Sequence, residues 1–233
     1  MAHPIEFELC AETLEACLAA YPGGADRIEL CSQLSEDGLT PDDALLQEAV
    51  LRSRLPVHVM LRPRGGNFVY SVAEFDRICA QLERARALGA AGFVCGVLRP
   101  NGTVDVDRIR ELTAIAGDLP ITFHRALDVT PDIFQALEDV ISSGCKRVLT
   151  SGGAVTAPHG AATLAALVQQ AGDRTQVAVG GGLRLENAAM LVRTTQASHF
   201  HGTVRVPGTD KVDAEYLRSV ITVLRSTALE SGT

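Results

Sequence analysis

Ile121-Thr122-Phe123-His124-Arg125-Ala126-Leu127-Asp128 is the stretch on which the fold is decided. Ile-Thr-Phe is a short β-prone run, and it delivers a His, an Arg and an Asp where strand gives way to loop. Downstream, Thr130 and Pro131 form a helix-start signal, an N-cap followed by proline at the first helical position. A helical pattern then runs from Pro131 to Ser142, Gly144 stops it, and a new β-prone run begins at Arg147. Strand, helix and strand in so few residues read as a parallel crossover unit.

The same unit recurs in both directions. Strand runs begin near Ile5, Asp26, Val57, Gly92, Pro120, Arg147, Thr175 and Ser198. Between them lie helical patterns: Leu39–Leu51 with Thr40-Pro41 as a cap signal, Val72–Leu88 closed by Gly89, Asp105–Ala116 and Asp213–Leu224. Eight strand–helix units without a break in composition predict one α/β domain over residues 1–233, a (β/α)8 TIM barrel, with 227–233 expected as a disordered tail. An open doubly wound sheet usually has fewer strands and an early glycine fingerprint; this chain has neither.

Bulk composition narrows the function classes. Acidic residues outnumber basic ones, 28 to 21, for a net charge of −7. Nucleic-acid surfaces need a basic stripe, so that class is excluded. No apolar run approaches the roughly 20 residues that span a bilayer, and no signal-peptide pattern opens the chain. A cytoplasmic location is the expectation. The six cysteines form no CxxC pair, which argues against a disulfide framework or a zinc module. With no tryptophan and 4% aromatics, stacking platforms for bases or sugars are poorly supplied. No organic cofactor is indicated.

Strand parity assigns faces, because successive side chains point to opposite sides. If Ile5, Phe7, Leu9, Ile28, Leu30, Val57, Val59, Ile121, Phe123 and Phe200 pack outward on the helices, the lumen receives the alternate residues. These are Glu6, Glu8 and Cys10, then Glu29 and Cys31, then His58, Met60 and Arg62, then Thr122 and His124, then His199 and His201. Barrel interiors usually hold Val, Ile and Leu. Ionisable groups on five strands therefore form either a self-neutralising network or a working site.

Two kinds of site fit. In the first, an enzyme of proton-transfer, isomerase or lyase type acts on a small anionic or phosphorylated metabolite. Its candidate catalytic groups are Glu8, Glu29, His124 and Asp128, with His124 or Glu29 moving a proton. Arg62, Arg64 and Arg125 would grip an anion. The glycine-rich loops Ser151-Gly152-Gly153 and Gly180-Gly181-Gly182 would cradle phosphate, Gly181 and Gly182 foremost in the second. In the second, Cys10 and Cys31 end adjacent strands with the same parity, about 4.8 Å apart by strand spacing. Such thiols select Cu(I), with Met60 as a third donor. His199 and His201 share a face and offer a weaker metal pair. His58 reads as a core histidine, and His3 and His159 as surface residues.

Several of these motifs, in order, resemble those of the CutC family: Gly24-Ala25-Asp26-Arg27-Ile28-Glu29-Leu30-Cys31, Gly38-Leu39-Thr40-Pro41, Val57-His58-Val59-Met60 and Arg62-Pro63-Arg64-Gly65-Gly66. Thr122-Phe123-His124-Arg125-Ala126, Leu149-Thr150-Ser151-Gly152-Gly153, Gly180-Gly181-Gly182 and Phe200-His201-Gly202 continue the match, which runs from about Glu8 to Arg205. Asn67 and Thr203-Val204 depart from the usual pattern, both on the rim. The resemblance implies a cytosolic (β/α)8 barrel that forms homo-oligomers. It also implies a role in copper homeostasis, with Cys10 and Cys31 at the positions that would carry Cu(I). Copper ion and a small anionic metabolite are thus the two expected partners.

Overall fold

A computed structural model describes residues 4–231. Eight parallel strands close into a barrel in sequence order. They are β1 (Glu6–Ala11), β2 (Arg27–Leu30), β3 (Val57–Met60), β4 (Gly92–Cys95), β5 (Ile121–Phe123), β6 (Arg147–Thr150), β7 (Gln176–Val179) and β8 (His199–Gly202). The helices that follow them are α1 (Leu14–Ala20), α2 (Asp43–Arg52), α3 (Val72–Ala87), α4 (Val106–Ala116), α5 (Ile133–Ser142), α6 (Ala161–Ala171), α7 (Leu185–Thr195) and α8 (Ala214–Ser231). Each strand lies within one residue of its expected start. The chain is a (β/α)8 barrel, and no helix among the described residues is long and apolar enough to cross a membrane.

The two faces of the sheet separate as parity requires. Phe7, Leu9, Ile28, Leu30, Val59, Phe93, Phe123 and Phe200 are buried under the helices in one continuous apolar cluster. Cys10, Cys31, Met60 and Val94 form a second, small cluster of their own. Two glycines on β4 and just beyond it make room for imidazoles from neighbouring strands. A Cβ on Gly92 would lie 2.7 Å from the His58 ring, and one on Gly96 would lie 2.4 Å from His124 Cε1.

Three sequence expectations are corrected. The N-cap of α5 is Asp132, whose carboxylate accepts from the amides of Phe134 and Gln135. Thr130 instead closes a 3-10 turn over Arg125–Val129, which the short β5 needs to reach the rim. Likewise Asp42, not Thr40, caps α2. Thr40 Oγ1 accepts from the Arg62 amide at 2.9 Å and donates to Gln81, bracing the loop after β3. Finally, α8 continues to Ser231, so residues 227–231 of the expected tail are helical. Thr227 is buried within it. The rest of that tail, and His3, lie outside the described residues.

Candidate functional site

The lower lumen is an ion network centred on Glu8, which is fully buried. Arg27 donates from Nε to its Oε2 at 2.7 Å, Arg147 from Nη1 to the same oxygen at 2.9 Å, and His201 Nδ1–H to Oε1 at 2.8 Å. Burial works against the carboxylate's charge. The bond and charge of His201, then Arg27, outweigh it and hold the Glu8 pKa down at about 2. Glu8 is thus an ionised strut with both oxygens engaged, and it stands beneath the cleft. The catalytic expectation for Glu8 finds no geometric support. Arg147, buried beside it, was not anticipated. An arginine opening a strand looks like a solvated edge, and only its inward parity with Leu149 and Ser151 signals otherwise.

Above this network a cleft of about 700 Å³ opens at the C-terminal ends of the strands. Cys10, Glu29, Met60, Arg62, His124, Arg125, Asp128, Gly181, Gly182 and His201 all line it. A second groove, of about 850 Å³, lies at the opposite end against Thr175, Gln176 and His199 and holds none of these donors. In barrels of this kind chemistry belongs to the C-terminal end.

One side of the cleft carries thiols, a carboxylate and an imidazole. Cys10 Sγ lies 3.7 Å from Cys31 Sγ and donates to Glu29 Oε1 at 3.4 Å. Cys31 sits behind Cys10, fully buried, with its thiol toward the Ala11 carbonyl at 3.6 Å. The bond to Cys31, then burial and the Glu29 charge, push the Cys10 thiol well above its usual range. Burial, with Glu8 adding to it, raises Glu29, whose Oε2 has no partner among the described residues. His201 presents Nε2 to Glu29 Oε1 at 3.9 Å. Burial opposes its charge, but the carboxylates of Glu29 and Glu8 raise its pKa. One ligand atom each from Cys10, Glu29 and His201 falls within 4.8 Å of the others. The sequence also pairs His201 with His199 as metal donors, but His199 instead faces Glu6 at 3.4 Å near the barrel floor.

The expected anion binders fare unequally. Arg62 is buried, yet its Nη atoms bond the carbonyls of Glu36, Gly38 and Gly66, and its guanidinium lies 5.0 Å from the Phe68 ring. Arg64 stands outside the cleft. It staples its own loop, bonding Glu74 Oε1 at 2.6 Å and the carbonyls of Asn67 and Val69. Arg125 reaches the cleft with Nε on Asp128 and Nη2 on Ser151 Oγ, both at 2.9 Å.

Asp128 accepts from Thr150 Oγ1, from the amides of Ser151 and Gly153, from Ser151 Oγ and from Arg125 Nε. Both oxygens of this carboxylate are thus taken up by the protein. It also fills the loop assigned to phosphate: Ser151 and Gly153 donate to Asp128, and Gly152 donates to Thr150 Oγ1 at 2.9 Å. Ser151, Gly152 and Gly153 therefore form a cradle already occupied by the protein's own carboxylate. Gly181 and Gly182 remain open. His124 is neutral: burial foremost, then the Arg62 charge, lowers its pKa to about 3. Its Nδ1 accepts from the Ala126 amide at 3.1 Å.

A (β/α)8 barrel with a polar, thiol-bearing cleft at its C-terminal rim is the class that this geometry defines. The sequence profile of the CutC family matches residues 5–206, and the chain belongs to that family. It is 48% identical over 198 residues to a family protein CutC of Chromobacterium violaceum, covering 85% of this chain and 80% of that one. It is 42% identical over 211 residues to one of Caulobacter vibrioides, covering 90% and 86%. A solved CutC structure from Streptococcus agalactiae, titled for copper homeostasis, superposes with a TM-score of 0.81 at 32% identity, over 85% of this chain and 98% of that one. N-(5'-phosphoribosyl)anthranilate isomerase from Pyrococcus furiosus shares the fold alone, at 14% identity and a TM-score of 0.62 over 95% and 99% of the two chains.

Proposed function

We propose that this chain serves copper homeostasis by holding Cu(I) between the thiols of Cys10 and Cys31. The observation that carries this reading is the 3.7 Å separation of the two sulfurs, with Cys10 lining the cleft and Cys31 buried behind it. Soft thiolate and thioether donors select Cu(I), and Met60 packs in the same small cluster. A thiol must lose its proton to bind metal. Glu29, already the acceptor of the Cys10 S–H, gives that proton a place to go. The Streptococcus agalactiae protein, named for copper homeostasis, points the same way, and copper is here the cargo.

A second metal reading rests on one observation. Glu8 holds His201 Nδ1 at 2.8 Å and leaves Nε2 facing Cys10 and Glu29. That is the carboxylate–histidine orientation typical of divalent metal ligands. The proton-transfer alternative has less support, because Glu8 and Asp128 have both oxygens engaged by the protein, and the unpartnered Glu29 Oε2 and His124 Nε2 are buried.

An anaerobic Cu(I) titration against a competing chelator separates these readings. Stoichiometric tight binding lost in both Cys10→Ser and Cys31→Ser, and kept in His124→Ala, supports the thiol pair. Binding that survives Cys31→Ser but fails in His201→Ala moves the metal to the Cys10–Glu29–His201 group. Absence of tight binding in the wild type removes the copper reading.

A further inference from the structure

The cleft wall formed by the ends of β3, β5 and β7 takes no part in the thiol pair, and it is built from hydrogen-bond donors. His124 is 4% exposed. Since its Nδ1 accepts from Ala126, the proton of the neutral ring sits on Nε2, and that atom has no partner among the described residues. The Cε1–Nδ1 edge lies against Gly96, and the residue lines the cleft with its Nε2 buried in the wall. Arg62 is 3% exposed, and no carboxylate among the described residues forms an ion pair with it. Arg125 has its Nε and Nη2 engaged, which leaves Nη1. A Cβ on Gly181 would lie 3.5 Å from that atom, so the guanidinium edge rests over Gly181.

Gly181 and Gly182 connect β7 to α7 with φ of +93° and +80°. Both line the cleft, and neither N–H donates to an acceptor among the described residues. Only glycine adopts two such angles in succession without cost. The result is a pair of open amides just before an eleven-residue helix, where backbone N–H groups favour anions. Asp128, which lines the same cleft, is saturated by the loop after β6 and by Arg125.

We propose that this wall binds a small phosphate monoester. The phosphate sits on the amides of Gly181 and Gly182 and on Arg125 Nη1, and an oxygen of the carbon skeleton accepts from His124 Nε2–H. Three open donors suit the three terminal oxygens of a phosphate better than the two of a carboxylate. The buried Arg62 charge adds attraction, and a cleft of about 700 Å³ holds a ligand of metabolite size. This site is independent of the copper reading, since it uses neither cysteine.

The test is a 1H–15N NMR titration of the full chain with inorganic phosphate and with dihydroxyacetone phosphate, paired with calorimetry. Saturable downfield shifts of the Gly181 and Gly182 amide protons are expected. The amides of Ser151 and Gly153, already bonded to Asp128, stay in place. Dihydroxyacetone phosphate should bind about tenfold tighter than inorganic phosphate through the added hydrogen bond. His124→Leu should remove that gain and His124→Gln restore part of it, while Arg125→Met weakens both ligands about tenfold. Unmoved Gly181 and Gly182 amides in the wild type, or equal shifts with acetate at matched ionic strength, would overturn the phosphate site, whatever the variants do. Equal affinity for the two phosphates would overturn the role of His124.

Discussion

On one side of the cleft mouth, Cys10, Glu29 and His201 contact one another, and Glu8 braces them from below. On the other side, Arg62, His124, Arg125 and the Gly181–Gly182 amides stand as donors with few acceptors between them. The first side is self-complementary: its acids, thiols and imidazole exchange protons and charge among themselves. The second is not, and its open donors require something from outside. Arg62 and His124 are as buried as Cys10, Glu29 and His201, while the Arg125 side chain is 39% exposed. The sharper difference is how far each polar group's partner comes from the protein, and on the readings proposed above this separates a metal side from an anion side.

Removing the brace should break the comparison most severely. Glu8→Ala leaves Arg27, Arg147 and His201 without their shared carboxylate, and chemical denaturation should show a loss of about 3–5 kcal/mol. Asp128→Asn comes next, at about 2–3 kcal/mol, because it weakens a carboxylate that ties down the loop after β6. It also sharpens the contrast between loops, since the amides of Ser151 and Gly153 should then respond to phosphate as those of Gly181 and Gly182 do.

Gly92→Ala drives a Cβ to 2.7 Å from the His58 ring, and overpacking of that kind costs about 1–3 kcal/mol, read as a fall in the denaturant midpoint. Arg52→Ala, which removes an exposed pair with Glu48 on α2, serves as the control and should cost under about 0.5 kcal/mol.

Stability against pH follows from the same groups. His124 and His58 are lowered to about 3 and about 4 from 6.5, so both stay neutral in the folded chain while the unfolded chain takes up protons. Stability should fall as pH drops below 6.5 toward those values. Glu8, lowered from 4.5 to about 2, adds to the loss below pH 4.5. His201, raised, contributes in the opposite sense, and its share is lost as pH rises through its folded pKa. A denaturation series on His124→Gln should show a shallower acid limb between pH 6.5 and 3.

Much of this was legible in the residues. Alternating parity placed Glu8, Cys10, Glu29, Cys31, Arg62 and His124 inside the barrel, because the outward face had to be apolar to seat the helices. Partnership was not legible. Ser151-Gly152-Gly153 and Gly180-Gly181-Gly182 look alike as sequence, yet Asp128 reaches across from the loop after β5 to fill the first and leaves the second open. Arg64 likewise follows a strand end as Arg62 does, but Glu74 on α3 draws it out of the cleft. The Asp128 contacts join two strand–helix units and the Arg64–Glu74 pair folds a loop back onto its own helix, and no strand or helix period records either. Arg147 was missed for a related reason: its partner, Glu8, lies at the other end of the chain.

The most direct test of the metal reading is copper K-edge X-ray absorption on the wild-type chain loaded anaerobically with one equivalent of Cu(I). Two sulfur scatterers in the first shell, with one lost in Cys31→Ser, are the predicted result. A first shell of nitrogen and oxygen, or a spectrum indifferent to Cys31→Ser, would contradict copper held between Cys10 and Cys31.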